Sequence, residues 1–519
     1  MKERSYWDWA FVVLFALAVI YQILVPPVVG LPDNGDFQRM TQSVGLTPAD
    51  SGKAAGLYSF TRYYSFDPSH RGKPFPSAEL LFVGLALLVN VVLSKNGLFD
   101  ILSLGLVHGL AYIGVAALIG YCGYRSRHPL RWLVYLGILV LFTDVAYVAY
   151  MNSLYAEPSA LIFACATLAF AMLVLVEGKS ERGRRIGLLG FLACSLLFLS
   201  AKLQNAMLGP LLAICLYLLC RIGAKARRSD RLRTWGPAAI LALSFAYWML
   251  YSIFPMGIRN TNVYDSVFFE IIKNSPTPQA DLRELGLEPS YIKYRGTTAW
   301  SPGVSKAVYQ PVYERVREKG LILFYARHPA RLTNLLTRAS RQAFETRPGY
   351  LGNYDQYTIS RIVKLDRSRQ LLPGESYSAE STSYLRLPRW YFSHSFALGS
   401  DLKRTCLVGR VWPLPVFAIL SLGAVLLKRI RFDRSRQARM VSGIHIGIIL
   451  MAALQFLTCT VGAGELDLVK HLFLFDVLCD ICAVLLVAYL AHWLASKSGM
   501  LGAAGSMGVS QPKTSKAAR

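Results

Sequence analysis

Long apolar runs separated by short polar or basic segments dominate the chain. They cover residues 7–29, 101–122, 132–150, 160–176, 186–200, 207–219, 237–254, 411–427, 441–460 and 472–494. Each is long enough, or nearly so, to cross a hydrocarbon core as a helix, which takes about 20 residues. This pattern predicts an all-α polytopic membrane protein. One further apolar run, 77–94, disturbs the alternation of sides, because counting it as a full crossing would move every later basic loop to the opposite face. It is read as re-entrant, interfacial or part of a broken pair, which gives ten or eleven spans.

Composition agrees with this pattern. Of 519 residues, 54% are hydrophobic and 17% charged, and the mean hydropathy is +0.36. A net charge of +25 raises nucleic acid as a partner, but the positive charge is gathered into alternate short loops: Arg125/Arg127/Arg131, Lys179/Arg182/Arg184/Arg185, Lys225/Arg227/Arg228/Arg231/Arg233 and Lys428/Arg429/Arg431/Arg434/Arg436/Arg439. Such loops mark the cytoplasmic side of a membrane protein, so no nucleic acid is expected and membrane lipids are. Lys2 and Arg4 precede the first run, which places both termini inside and makes residues 7–29 an uncleaved anchor, since Pro26-Pro27 is a poor cleavage site. The nine cysteines fall mostly within apolar runs. Cys479 and Cys482 have a metal-like spacing but lack a second pair, and a core role is the better reading.

With the basic loops inside, the polar clusters collect on the other face. The expected division is an N-terminal bundle over 1–256 with a first external loop at 30–76, an extracytoplasmic and mainly helical segment at 257–401, C-terminal membrane helices at 402–494, and a disordered cytoplasmic tail at 495–519. Within the external segment, "SKAVYQPVYERVREKGLILFYARHPARLTNLLTRASRQAFE" carries apolar residues at helical intervals and predicts two amphipathic helices broken at His328-Pro329.

Candidate chemistry lies in the external turns. In "GLPDNGDFQRM", Asp33 and Asp36 flank Asn34-Gly35, a tight turn able to aim both carboxylates at the bundle; solvated turn acids are the plain alternative. "TDVAYVAYMNSLYAEP" places Asp144 inside an apolar span, where it needs a partner or a polar cavity, and Glu157 at a helix start, where the dipole alone would favour it. "SAKLQNA" offers Lys202, either snorkelling or facing a phosphate. "TRPGYLGNY" offers Arg347. "GAGELDLVKH" holds Glu465, Asp467, Lys470 and His471, with Glu465 and Lys470 a possible plain ion pair.

Taken in order, "LPDNGDF", "YMNSLYAEP", "RPGYLGNY" and "GAGELDLVKHLFLFD" resemble the WsfD-type glycan hexose transferases, bacterial polytopic enzymes of the GT-C glycosyltransferase superfamily. The resemblance runs from Trp7 to about Leu494 and rests on the order and placement of short motifs. It implies a GT-C-like helix bundle in the bacterial plasma membrane, with an active site at the extracytoplasmic face. It also implies a polyprenyl-phosphate-linked sugar donor, a glycan or lipid-linked acceptor, and an essential acid in the first external loop. Asp36, flanked by Phe37 and Arg39, is favoured as the catalytic carboxylate, with Asp33 as its partner, and inversion at the anomeric carbon is expected. Lys202, Arg347, Lys470 and His471 are candidates to stabilise the leaving phosphate. Arg39 is a further binding residue, and Glu157, Glu465 and Asp467 are candidates for sugar hydroxyls or a divalent ion. Some members of the superfamily use Mg or Mn and others use no metal; no ligand spacing here decides between them. No glycine-rich phosphate loop is present, which argues against a nucleotide-sugar donor. The alternatives are a transporter or flippase of lipid-linked saccharides using His108, Asp144, Asp476 and Asp480 near the midplane, and an O-antigen polymerase or ligase.

Overall fold

The computed structural model describes residues 6–25, 28–49, 61–94, 97–178, 180–222, 231–253, 256–346, 396–411, 413–427 and 436–497. Every apolar run of the sequence carries a helix. In chain order these elements are α1 (Tyr6–Leu24), α2 (Gln38–Val44), α3 (Glu79–Leu93), α4 (Ile101–Ser126), α5 (Arg131–Phe142), α6 (Val145–Val148), α7 (Glu157–Val176), α8 (Glu181–Ala201), α9 (Gly209–Cys220) and α10 (Arg231–Ile253). They continue with α11 (Met256–Asp265), α12 (Pro278–Glu284), α13 (Lys306–Arg327), α14 (Pro329–Gln342), α15 (Leu398–Cys406), α16 (Pro413–Leu427), α17 (Arg436–Ala463), α18 (Leu468–His471) and α19 (Phe473–Lys497). Helices suit these segments because lipid offers no partner to a backbone amide, and a helix satisfies its amides internally. Among the described residues, seven helices are long and apolar enough to cross a membrane, and a bent pair makes an eighth. α10, with 23 residues, and the 15-residue α16 occupy the remaining two apolar runs.

One run differs from its expected form. Residues 132–150 do not make a straight span: α5 and the segment Val145–Asn152 are bent by 53°. The break falls where Asp144 turns its carboxylate onto backbone amides, Oδ1 accepting from Ala146 N and Oδ2 from Ser400 N, each at 2.8 Å. The 77–94 run forms α3, whose 15 residues span about 22 Å, short of a hydrocarbon core about 30 Å thick. Its start meets α4 at Glu79 and His108 (2.9 Å), about 10 Å along α4 at 1.5 Å per residue. Its end returns to the start of α4, where Asn90 Nδ2 donates to Leu98 O (2.9 Å) and Asn90 Oδ1 accepts from Asp100 N (2.9 Å).

Ion pairs fix which helix ends share a level. Asp8 at the start of α1 accepts from Arg131 at the start of α5 (2.7 Å), and Arg125 at the end of α4 pairs with Glu177 just after α7. These basic turns therefore share one end of the bundle. The end of α1, the start of α7 and the end of α8 lie at the opposite end, together with residues 28–49, 256–346 and 461–471. The basic loops at 223–230 and 428–435 lie outside the described residues, as does the expected disordered tail from 498 onward; before it, α19 continues to Lys497.

A small antiparallel sheet, which the sequence pattern did not signal, closes over the first loop. β1 (Leu46–Pro48), β2 (Tyr63–Phe66) and β3 (Phe99–Asp100) lie in that order, with Leu46 opposite Phe66 and Tyr63 opposite Asp100. Strands of two to four residues are too short to show an alternation. The sheet is held by a bidentate Arg62–Asp100 pair (2.8 and 3.1 Å) and by buried Tyr64 and Phe99. Residues 256–346 form a second apolar cluster of their own, including Tyr264, Phe268, Leu282, Val312 and Phe324. There α13 and α14 break at His328-Pro329, and α13 also kinks at Arg317, whose φ is 48°. α15 packs among the membrane helices, with Lys403 Nζ 2.6 Å from Asp480.

The first loop depends on one close approach. Asn152 Nδ2 donates to Ile23 O (3.0 Å) and Val29 O (2.7 Å), tying the end of α1 to the bundle, and Gly105 leaves room for the Asn152 amide that no Cβ would leave. Gly105→Ala is expected to cost about 1–3 kcal/mol, read as a lower thermal midpoint of the purified protein. Gly114→Ala, on the same helix with open space around it, is expected to leave the midpoint unchanged.

Candidate functional site

The turn "DNGD" is built by its own side chains. Asp33 Oδ1 accepts from Gly35 N (2.7 Å) and Phe37 N (3.0 Å), and Gly35 takes a φ of 105° that a side chain would resist. Phe37 is buried edge-on against the Tyr155 ring, centroids 4.6 Å apart, and leads into α2. Asp33 is thus turned into its own loop, whereas Asp36 points to the bundle. The expectation that both carboxylates aim inward holds for Asp36 only, because the two backbone amides claim Asp33.

The second half of the site comes from the link between the last two long helices. Gly464 (φ 65°) and Asp467 (φ 50°) are both left-handed, a conformation that Asp tolerates better than most residues. They reverse the chain into the single turn of α18, in which Lys470 N and His471 N donate to Asp467 O (3.1 and 3.2 Å). That turn sends Lys470 inward, where its side chain is 2% exposed. Its ammonium donates to Asp36 Oδ2 and to Asn34 Oδ1 (3.0 Å), and sits 4.2 Å from the centre of the Tyr155 ring. Asp36 also meets Arg39 at 2.8 Å, with the two side chains 31% and 38% exposed.

A second ion pair lies beside the first. Glu157 opens α7, with Pro158 favouring a helix start, and its carboxylate accepts from Lys202 Nζ at 2.8 Å. Both residues act electrostatically on the Asp36–Lys470 pair. Asp33, Asp36, Arg39, Glu157, Lys202, Asp467, Lys470 and His471 therefore converge, although they come from four separate stretches of chain. Glu465 is placed differently. It does not pair with Lys470 but accepts from Arg338 Nε (2.6 Å), and Arg338 also holds Glu270. The physical reason is the Gly464 turn, which faces Glu465 toward α14 while Asp36 takes Lys470. Arg347 lies outside the described residues.

Asn34 and Tyr155 were not among the candidates, yet they join the two loops. Asn34 Nδ2 donates to Asp467 Oδ2 (3.3 Å), Asn34 N donates to the Tyr155 hydroxyl (3.1 Å), and that hydroxyl donates to Pro32 O (2.8 Å). Both residues stand inside motifs already noted, but a neutral amide and a phenol carry no charge signal.

Charge states follow from these contacts. Desolvation favours a neutral Asp36, but the Lys470 ammonium and the Arg39 guanidinium outweigh it and hold the carboxyl below the usual range. Desolvation likewise opposes a charged Lys470, yet Asp36, Asp467 and Glu157 raise it. Desolvation and two neighbouring ammoniums, Lys202 and Lys470, push the His471 imidazole down to about 4, so it is neutral at ordinary pH. Asp33 is raised, mainly by desolvation. Glu270 is raised to about 7 by desolvation and by Glu465.

This donor set does not fit a divalent ion. Among the described residues no three His, Cys, Asp or Glu side chains converge as ligands. Asp36 and Glu157 are each neutralised by a cation, and Asp33 Oδ1 is taken by backbone amides.

A multi-pass helical bundle, with an ionised cluster where two loops from opposite ends of the sequence close over one of its ends, defines a membrane protein built around a polar site. The chain belongs to the family described as the YfdI N-terminal transmembrane domain, which residues 5–505 match. No curated protein and no solved structure matches it.

Asn34 is the joint between the loops, so Asn34→Ala removes hydrogen bonds from both Lys470 and Asp467. The expected cost is about 1–3 kcal/mol, with faster amide exchange across residues 461–471. Unchanged exchange there would show that Asn34 does not hold the second loop.

Proposed function

We propose that this chain is a membrane glycosyltransferase that moves a hexose from a polyprenyl-phosphate-linked donor to a glycan or lipid-linked acceptor at the extracytoplasmic face. The observation that carries this reading is the meeting of Asp36 with Lys470, a partly exposed carboxylate and a buried ammonium at the polar end of a membrane bundle. The family match adds a membrane context, and the narrower likeness to WsfD-type hexose transferases supplies the reaction.

The chemistry needs an acid-base group and a positive seat. As the acceptor oxygen bonds to the anomeric carbon, its proton passes to Asp36, and the bond from that carbon to the phosphate oxygen breaks. The leaving polyprenyl phosphate carries the negative charge away, stabilised by Lys470, Arg39 and Lys202. Attack opposite the phosphate inverts the configuration. His471, neutral beside the two ammoniums, leaves the positive seat to them. Asp467 and Glu157 position Lys470 and Lys202, and their remaining acceptor capacity suits sugar hydroxyls.

Several groups that a transporter would use have protein partners instead. His108 Nε2 meets Glu79 and its Nδ1 meets Met151 O, each at 2.9 Å. Asp144 holds Ser400 N, Asp476 accepts from Phe344 N (3.0 Å), and Asp480 takes both Lys403 and the Tyr147 hydroxyl (2.6 Å each).

The test is sugar transfer from a polyprenyl-phosphate hexose by purified protein in nanodiscs. A folded Asp36→Asn variant is expected to lose about 100-fold or more in turnover. Full turnover in that variant would remove Asp36 from the chemistry. Movement of lipid-linked saccharide across a bilayer without any transfer by the wild type would favour a transporter.

A further inference from the structure

Asp36 answers to two cations at once. Lys470 meets Oδ2 and Arg39 meets Oδ1 at 2.8 Å, so positive charge holds both carboxylate oxygens. A carboxylate so held is a poor proton acceptor, because base strength falls with its pKa. Yet the same two cations are the ones a departing phosphate needs. The free protein thus spends its base and its anion seat on each other.

The surroundings show which partner can move. Lys470 is 2% exposed and is fixed by Asn34 Oδ1 and the Tyr155 ring. Asp36 and Arg39 are about a third exposed and belong to a loop and a short helix at the rim. The neighbouring pair offers no such freedom, since Glu157 is 2% exposed at the start of a buried helix and holds Lys202. Of the two ion pairs, one has a carboxylate able to swing away from its ammonium.

We infer that Asp36 occupies, in the free protein, the anion seat at Lys470 and Arg39 that the donor phosphate takes on binding, so that donor entry displaces the carboxylate toward the acceptor. The inference rests on the phosphate-linked donor proposed above. A phosphodiester monoanion replaces a carboxylate one for one, which leaves the charge of the buried seat unchanged. Binding is therefore ordered, donor before acceptor, and the base is unmasked only when there is a sugar to transfer.

The signature is an opposite effect at the two ends of one ion pair. Equilibrium binding of a polyprenyl phosphate is measured in phosphatidylcholine nanodiscs, with phosphatidic acid as a parallel ligand. Asp36→Asn is expected to bind polyprenyl phosphate about three- to tenfold tighter than wild type, because a competing anion is gone, and Arg39→Gln to bind it more weakly. Asp36→Ser is the second variant should the first fail to fold. Unchanged or weaker binding in a folded Asp36 variant overturns the displacement while leaving the donor reading intact. Equal tightening for phosphatidic acid supports the displacement and overturns a dedicated polyprenyl donor. Failure of wild type to bind either lipid overturns both. Without any variant, a structure of wild type with bound polyprenyl phosphate is expected to place a phosphate oxygen on Lys470 Nζ with Asp36 turned away; Lys470 still on Asp36, with the phosphate elsewhere, overturns the inference.

Discussion

A buried ammonium at Lys470 governs how this protein closes. Removing such a charge from water costs several kcal/mol unless partners surround it. Here they come from both ends of the sequence: Asp36 and Asn34 from the first loop, the Tyr155 ring from the turn before α7, and Asp467 from the link that carries Lys470 itself. The first loop shapes its own turn, and Lys470 and Asp467 tie that turn to the last link. Residues about 430 positions apart thus become one unit, and the remaining helices serve to bring them level.

The same logic orders the bundle around it. Several polar groups within the apolar layers are matched to one another, as in His108 with Glu79 and Lys403 with Asp480. Their positions set where helices bend or stop. Asp144 sits at the bend of a span, its carboxylate serving amides on two elements, and Glu79 joins the start of α3 to α4 through His108. Groups that a translocation path would use serve as internal fasteners. The Asp36–Lys470 pair differs from these in having one rim-exposed partner, which is what a site that admits a ligand requires.

Much of this was legible in the chain. Long apolar runs declare membrane helices because the bilayer demands internal backbone pairing, and the basic turns after α4 and α7 lie together at one end of the bundle. Asp36, Glu157, Lys202 and Lys470 stood out because polar clusters gather on one face of the alternating pattern, and Asp36 was singled out among them by the family resemblance. Pairing was less legible. Glu465 and Lys470, five apart in one link, suggest a local pair, but two left-handed residues, Gly464 and Asp467, turn them to different partners. Asn34 and Tyr155 gave no signal because a neutral side chain becomes structural only through what it touches. The three short strands escaped for want of length, and α3 could not be assigned from hydrophobicity, which is the same for a crossing and a re-entrant helix.

Joined through Asp36 and Lys470, the first and last loops make one energetic unit. A double-mutant cycle measures it directly: Asp36→Asn, Lys470→Met and the double variant, each compared with wild type in thermal stability under one set of conditions. The double variant is expected to be less destabilised than the sum of the singles, with a coupling of about 1 kcal/mol or more. Strict additivity would contradict it, because two residues that do not feel each other cannot join the loops.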